Sequence, residues 1–228
     1  MNVFVCHYTK LHDRKKHIEG KLSSFKNISY SYIDDYDKEE IIDKVEEKYF
    51  IYDSGERIKR SNFYLKNGLV NLVNYSYKQA EKSIAMKHYT ACKKVVENEL
   101  PYALILEDDV FFCENFEDRL KQIVVNLPEG WDVYFLNSTK GMLGNKCEDI
   151  ENNDYVVKRG HPSTAYLNSY LIHNKACKKI VEEIENNKIS LHIDHEFNCI
   201  FYKNDFNVYF NKHKPLTVTG YMKSSIQV

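Results

Sequence analysis

The chain of 228 residues is predicted to fold as an α/β protein: one domain, with a mostly parallel central sheet flanked by helices. Three observations predict it. Short apolar runs recur without polar alternation, which is how strands buried on both faces read. Segments with apolar residues at three- and four-residue spacing lie between those runs. No repeat and no flexible linker divides the chain, which has only 8 Gly and 4 Pro.

Asn2 to Tyr8 is the first apolar run, and a helix over about Thr9 to Ser24 follows with Leu11, Ile18, Leu22 and Phe25 on one side. Ile28 to Ile33 alternates Ser, Tyr and apolar residues as a second strand does. The charged stretch Asp37 to Lys48 suits a helix or a solvated insertion, and Tyr52 to Lys66, with Gly55, suits a loop. From Leu69 to Asn98 runs a long helical pattern, broken near Ser76, with Ile84, His88, Ala91 or Cys92, and Val95 on one stripe. Pro101 then bounds the next strand. Beyond it, Glu114 to Asn126 is a helix, Trp131 to Leu136 a strand, and Ser138 to Asp154 a polar loop long enough to be a lid. Ala165 to Ile172 is a strand, Asn174 to Asn186 and Ile193 to Tyr202 are helices, and Phe206 to Phe210 is the last clear strand. A flexible tail is expected from about residue 217 to 228.

Composition narrows the function classes. With 32 basic and 33 acidic residues the net charge is −1, so no overall field points to nucleic acid or an anionic membrane. The six cysteines show no C-x-x-C spacing, and several lie in apolar segments where a free thiol is a small hydrophobe, so a reducing, cytoplasmic location is expected. No stretch approaches the ~20 apolar residues of a membrane span, which leaves peripheral contact through exposed aromatics as the one membrane mode open.

One stretch carries chemistry. Tyr102-Ala-Leu-Ile-Leu-Glu107-Asp108-Asp109-Val-Phe-Phe112 delivers three adjacent carboxylates at the end of a buried strand. Charges so close need neutralising, by a divalent cation with oxygen ligands or by a retained proton. Ligands of open α/β sheets bind at the carboxyl ends of strands, so a metal holding a phosphorylated substrate is the natural expectation. The alternative is a turn of solvated acids. Arg14, near the end of the first strand, is placed to reach a diphosphate or a base, or to make a helix-surface ion pair. His7, Tyr8 and Thr9 emerge from that strand with the means to stack on or hydrogen-bond to a base. Lys158, Arg159 and His161 follow the expected lid as a basic loop.

The order Asp13-Arg14, Glu81-x-x-x-Ala85-x-x-His88, Leu104-Ile-Leu-Glu-Asp-Asp-Val110, Trp131-Asp132, Tyr170-Leu-Ile-x-x-x-Ala176 and Ile193-Asp194 resembles glycosyltransferase family 25. That family includes bacterial lipooligosaccharide and collagen galactosyltransferases. Two segments depart from its pattern: Lys87 stands where the family has serine, and Val5-Cys6-His7 where it has Ile-Asn-Leu.

The resemblance implies a GT-A-type nucleotide-sugar fold, Mn²⁺ or Mg²⁺ as cofactor, a UDP-sugar donor, and a glycan or glycoconjugate acceptor. It implies Asp109 and Asp108 as metal ligands, with Glu107 on the ribose or a metal-bound water. His213, after the last strand, is a further candidate ligand with His195 in reserve, against the reading of a surface histidine. His88 is a core or pocket-wall histidine with a donor contact open to it. Asp194 is the candidate general base of an inverting transfer, or the cap of its helix, or both. Rival classes are a metal-dependent phosphohydrolase or nucleotidyltransferase using the same acids, and a non-catalytic sugar-nucleotide-binding module.

Overall fold

The computed structural model describes residues 1–53, 55, 58–59, 62, 77–137, 147–151, 153–164 and 166–220. An eight-stranded sheet forms its centre, in the order β2-β1-β3-β8-β5-β9-β7-β6. The strands are β1 (Asn2–Cys6), β2 (Ser29–Ile33), β3 (Tyr102–Glu107), β5 (Val133–Phe135), β6 (Cys147–Asp149), β7 (Val156–Arg159), β8 (Ser169–His173) and β9 (Val208–Asn211). Six run the same way, while β8 and β7 are reversed, so pairing is parallel at β2·β1, β1·β3 and β5·β9 and antiparallel elsewhere. A separate ribbon pairs β4 (Val110–Phe112) with β10 (Thr217–Thr219).

Alternation along β3 shows why its run is apolar throughout. Ala103 and Ile105 join one core cluster with Phe4, Phe135, Tyr170 and Phe210, while Leu104 and Leu106 join another with Val3, Val5, Tyr134 and Leu171. Each face is closed by helices. On the first lie α3 (Gln79–Glu97), α5 (Asn174–Asn187) and α6 (Ile193–Lys203), contributing Ala85, Met86, Tyr89, Ile180 and Phe197. On the second lie α1 (His12–Leu22) and α4 (Phe116–Asn126), contributing Ile18, Leu22, Phe116 and Leu120. The short α2 (Asp43–Tyr49) follows β2.

Several expectations need correction. Lys158 and Arg159 are not a basic loop: they belong to β7, and Arg159 is buried with its guanidinium 5.1 Å from the Phe210 ring. A strand, β6, occupies part of the expected lid, and the rest of that segment, 138–146, lies outside the described residues. Residues 63–76, which include the first part of the long helical pattern, also lie outside them. The tail begins with order, because β10 binds β4 and Gly220 N–H donates to Asp109 C=O at 2.9 Å. Among the described residues no helix is long and apolar enough to cross a membrane.

Candidate active site

The ends of β1, β2 and β3 lie side by side at one sheet edge, since all three pair in parallel. Glu107, Asp108 and Asp109 line a cleft there with Cys6, Tyr8 and Arg14. Its enclosed volume is about 80 Å³, below the roughly 300–1,000 Å³ of a small-molecule site.

Glu107 is the last residue of β3, and Asp108 and Asp109 occupy the turn that follows. Glu107 follows Ile105 toward α3, where its Oε1 stands 3.5 Å from His88 Nε2. His88 is fully buried; its Nδ1 lies 3.0 Å from the Tyr170 hydroxyl and 3.9 Å from Cys6 Sγ. Burial opposes protonation of that ring, but the Cys6 sulfur and the Glu107 carboxylate outweigh it and raise the pKa to about 10. Asp108 turns toward β1 and α1: His7 Nδ1 is 2.7 Å from its Oδ2, and Arg14 Nη1 donates to its Oδ1 at 2.8 Å. The same Arg14 nitrogen lies 3.1 Å from Asp109 Oδ2. Burial, reinforced by Glu107 and Asp108 and opposed by Arg14, pushes the Asp109 carboxyl up to about 6.

Two loops form the cleft wall, and a buried lysine ties them. Lys87, at 2 % exposure, donates to the carbonyls of Ile33, Asp34 and Asp35 at 3.3, 3.1 and 2.9 Å and to Asp37 Oδ1 at 2.8 Å. Asp37 also accepts the backbone N–H and the hydroxyl of Thr9. Tyr8 lines the cleft while its hydroxyl donates to Glu39 at 2.7 Å and Lys38 covers its ring. Thr9 is therefore a brace within the wall. The pattern hinted at Lys87, a charge on the buried stripe between Ile84 and Ala91. Nothing local marked Asp37, whose partners are 28 and 50 residues away.

Asp194 lies half-buried in the first turn of α6, where its Oδ1 accepts the His195 N–H at 2.8 Å; the N-cap itself is His192. One turn on, the Phe197 ring centroid is 6.4 Å from that of His88, but Asp194 itself does not line the cleft that holds the acids. Glu196, not singled out in sequence, accepts Ser190 N–H and Leu191 N–H at 2.9 and 3.0 Å and shapes the approach to the helix. Asn198 holds the loop before β8 through Ser163 N–H and the Thr164 carbonyl, at 2.8 and 2.6 Å. His213 is exposed in the β9–β10 connection and does not line the cleft, and the segment that returns to the acids is Thr217–Gly220.

Among the described residues no group of three His, Cys, Asp or Glu side chains converges on a metal position. The residues nevertheless fit a hard divalent cation in kind. Carboxylate oxygens are its preferred donors, and Asp109 Oδ1 is buried with no hydrogen-bond partner. Asp109 and Asp108 are the residues that would hold it.

The sheet with its acidic rim is an α/β fold of the kind that binds ligands at strand ends. Residues 1–197 match the model of glycosyltransferase family 25 (LPS biosynthesis protein), and the chain belongs to that family and is a glycosyltransferase. No curated protein sequence matches it. Among solved structures, A197 from STIV is 13 % identical, with 92 % of this chain and 80 % of that one covered and a TM-score of 0.41. The apo form of mouse xyloside xylosyltransferase 1 is 13 % identical, with 91 % and 70 % covered and a TM-score of 0.41. The apo-form glycosyltransferase GlyE of Streptococcus pneumoniae TIGR4 is 11 % identical, with 91 % of this chain but 44 % of that one covered and a TM-score of 0.44. Likenesses this distant do not bear on the site.

Proposed function

We propose that this chain is a cation-dependent hexosyltransferase. It moves a sugar, galactose by family analogy, from UDP to a hydroxyl of a glycan, glycolipid or glycoprotein, with inversion. The observation that carries the reading is the Asp108–Asp109 pair at the end of β3, facing a cleft with one buried carboxylate oxygen unpartnered. Bound there, Mn²⁺ or Mg²⁺ would supply positive charge to the departing diphosphate. The chain does the rest. Tyr8 and the loop braced by Lys87 and Asp37 form the wall against which the nucleoside lies. Asp194 accepts the proton of the acceptor hydroxyl as that oxygen bonds to the anomeric carbon, while the bond to the diphosphate breaks on the opposite face. Glu107, backed by His88, contacts the ribose. A reducing, cytoplasmic location is part of the same proposal, and among the described residues Cys6, Cys92, Cys113, Cys177 and Cys199 are free thiols.

Thermal unfolding with nucleotides and cations tests the reading. UDP with Mn²⁺ at 100 times Kd is expected to stabilise the protein by about 2.7 kcal/mol, with no comparable effect of other nucleoside diphosphates. No shift with any nucleotide points to a fold retained without donor binding. Faster hydrolysis of simple phosphate esters than of sugar nucleotides points to a phosphohydrolase instead.

A further inference from the structure

The acidic pair already holds a cation of the chain's own. A single nitrogen of Arg14 bridges it, 2.8 Å from Asp108 Oδ1 and 3.1 Å from Asp109 Oδ2. His7 Nδ1 occupies the other Asp108 oxygen at 2.7 Å. Of the oxygens of these two carboxylates, Asp109 Oδ1 is the one without a hydrogen-bond partner. Arg14 is 7 % exposed and lines the same cleft as both acids.

We infer that Arg14 is a latch on the cation seat, an inference that rests on the reading proposed above. Its guanidinium and a divalent ion compete for the same two carboxylates, since two cations sharing one pair of anions repel each other. A diphosphate resolves the competition. It offers Arg14 paired oxygens that match its planar fork, and it offers the ion further oxygen donors. Release of Arg14 to the diphosphate and entry of the ion between Asp108 and Asp109 thus favour each other, and by linkage each ligand tightens the other by the same factor. The free protein is accordingly a poor ion binder.

The test is Mn²⁺ affinity, read by electron paramagnetic resonance of the free ion, for the wild type, Arg14→Met and Arg14→Gln, each with and without UDP. Without nucleotide both variants are expected to bind Mn²⁺ about tenfold more tightly than the wild type, and UDP is expected to sharpen their Mn²⁺ affinity less. Equal or weaker nucleotide-free binding by the variants overturns the latch while leaving the cation-dependent transferase standing. Absence of Mn²⁺ binding by all three proteins even with UDP overturns both. Should the variants not fold, the guanidinium nitrogen resonances of Arg14 in the wild type decide. They are expected to change on adding Mg²⁺ with UDP and to hold on adding Mg²⁺ alone; unchanged resonances in both cases overturn the latch.

Discussion

Asp109 binds its fate to the pH of the solution. Its carboxyl is raised from 3.8 to about 6 in the fold. A raised carboxyl pKa means that folding favours the protonated form, so its stabilising share is complete below pH 3.8 and is lost as pH rises through 6. In cation-free buffer Asp109→Asn is therefore expected to be more stable than the wild type at pH 7 by about 3 kcal/mol, with the gap closing toward pH 4. Paired urea titrations at the two pH values check this. The same variant is expected to lose donor turnover, a trade of stability for function that marks a site residue. Lys87 is the opposite case. Replacing it with Met leaves the buried Asp37 carboxylate without its cation and three carbonyls without this donor, and the expected cost is about 3–5 kcal/mol in urea unfolding. Residue-level legibility was uneven for one reason: the acids announced themselves by adjacency, while the partners of Asp108 are Arg14 and His7, 94 and 101 residues away in the chain.

At the scale of elements, α6 and β10 matter most. Helix α6 presents Asp194 in its first turn while Glu196 and Asn198 fasten the surrounding loops. Asp194→Asn keeps the hydrogen bond to the His195 N–H, because an amide oxygen accepts it too. Stability is thus expected to change by less than about 0.5 kcal/mol, while kcat falls by about 10²–10⁴ and the affinity for UDP holds. Unchanged turnover would leave Asp194 a helix-terminus residue only. Strand β10 is followed by Gly220, where a Cβ would fall 1.7 Å from the Phe111 ring. Gly220→Ala is expected to cost about 1–3 kcal/mol by overpacking, and Phe111→Ala in the same chain to recover most of it, as a double-mutant cycle of unfolding free energies would show. Helices and buried strands were legible because period and burial go together. Strands β4, β6, β7 and β10, of three or four residues each, were not, since none sits inside a longer apolar run such as the one around β5 and each exists through its partner strand.

Across the whole molecule, two core clusters on either side of one sheet carry the architecture. Their consequence is that core variants and site variants separate. Leu106→Ala, in the cluster under α1 and α4, is expected to cost about 2–5 kcal/mol in unfolding, with UDP affinity at low temperature retained.

By itself the amino-acid sequence determined the α/β class, the order of the main elements, and the strand that ends on Glu107-Asp108-Asp109. Those properties follow from hydrophobic period and from neighbouring residues, both of which are local. Tertiary structure alone decided that Glu107 faces His88, that Asp108 and Asp109 share Arg14, and that Lys87 braces a wall with Asp37 and Thr9. Electrostatic pairing acts through space, and only the fold sets which distant charges come within a few ångströms of each other.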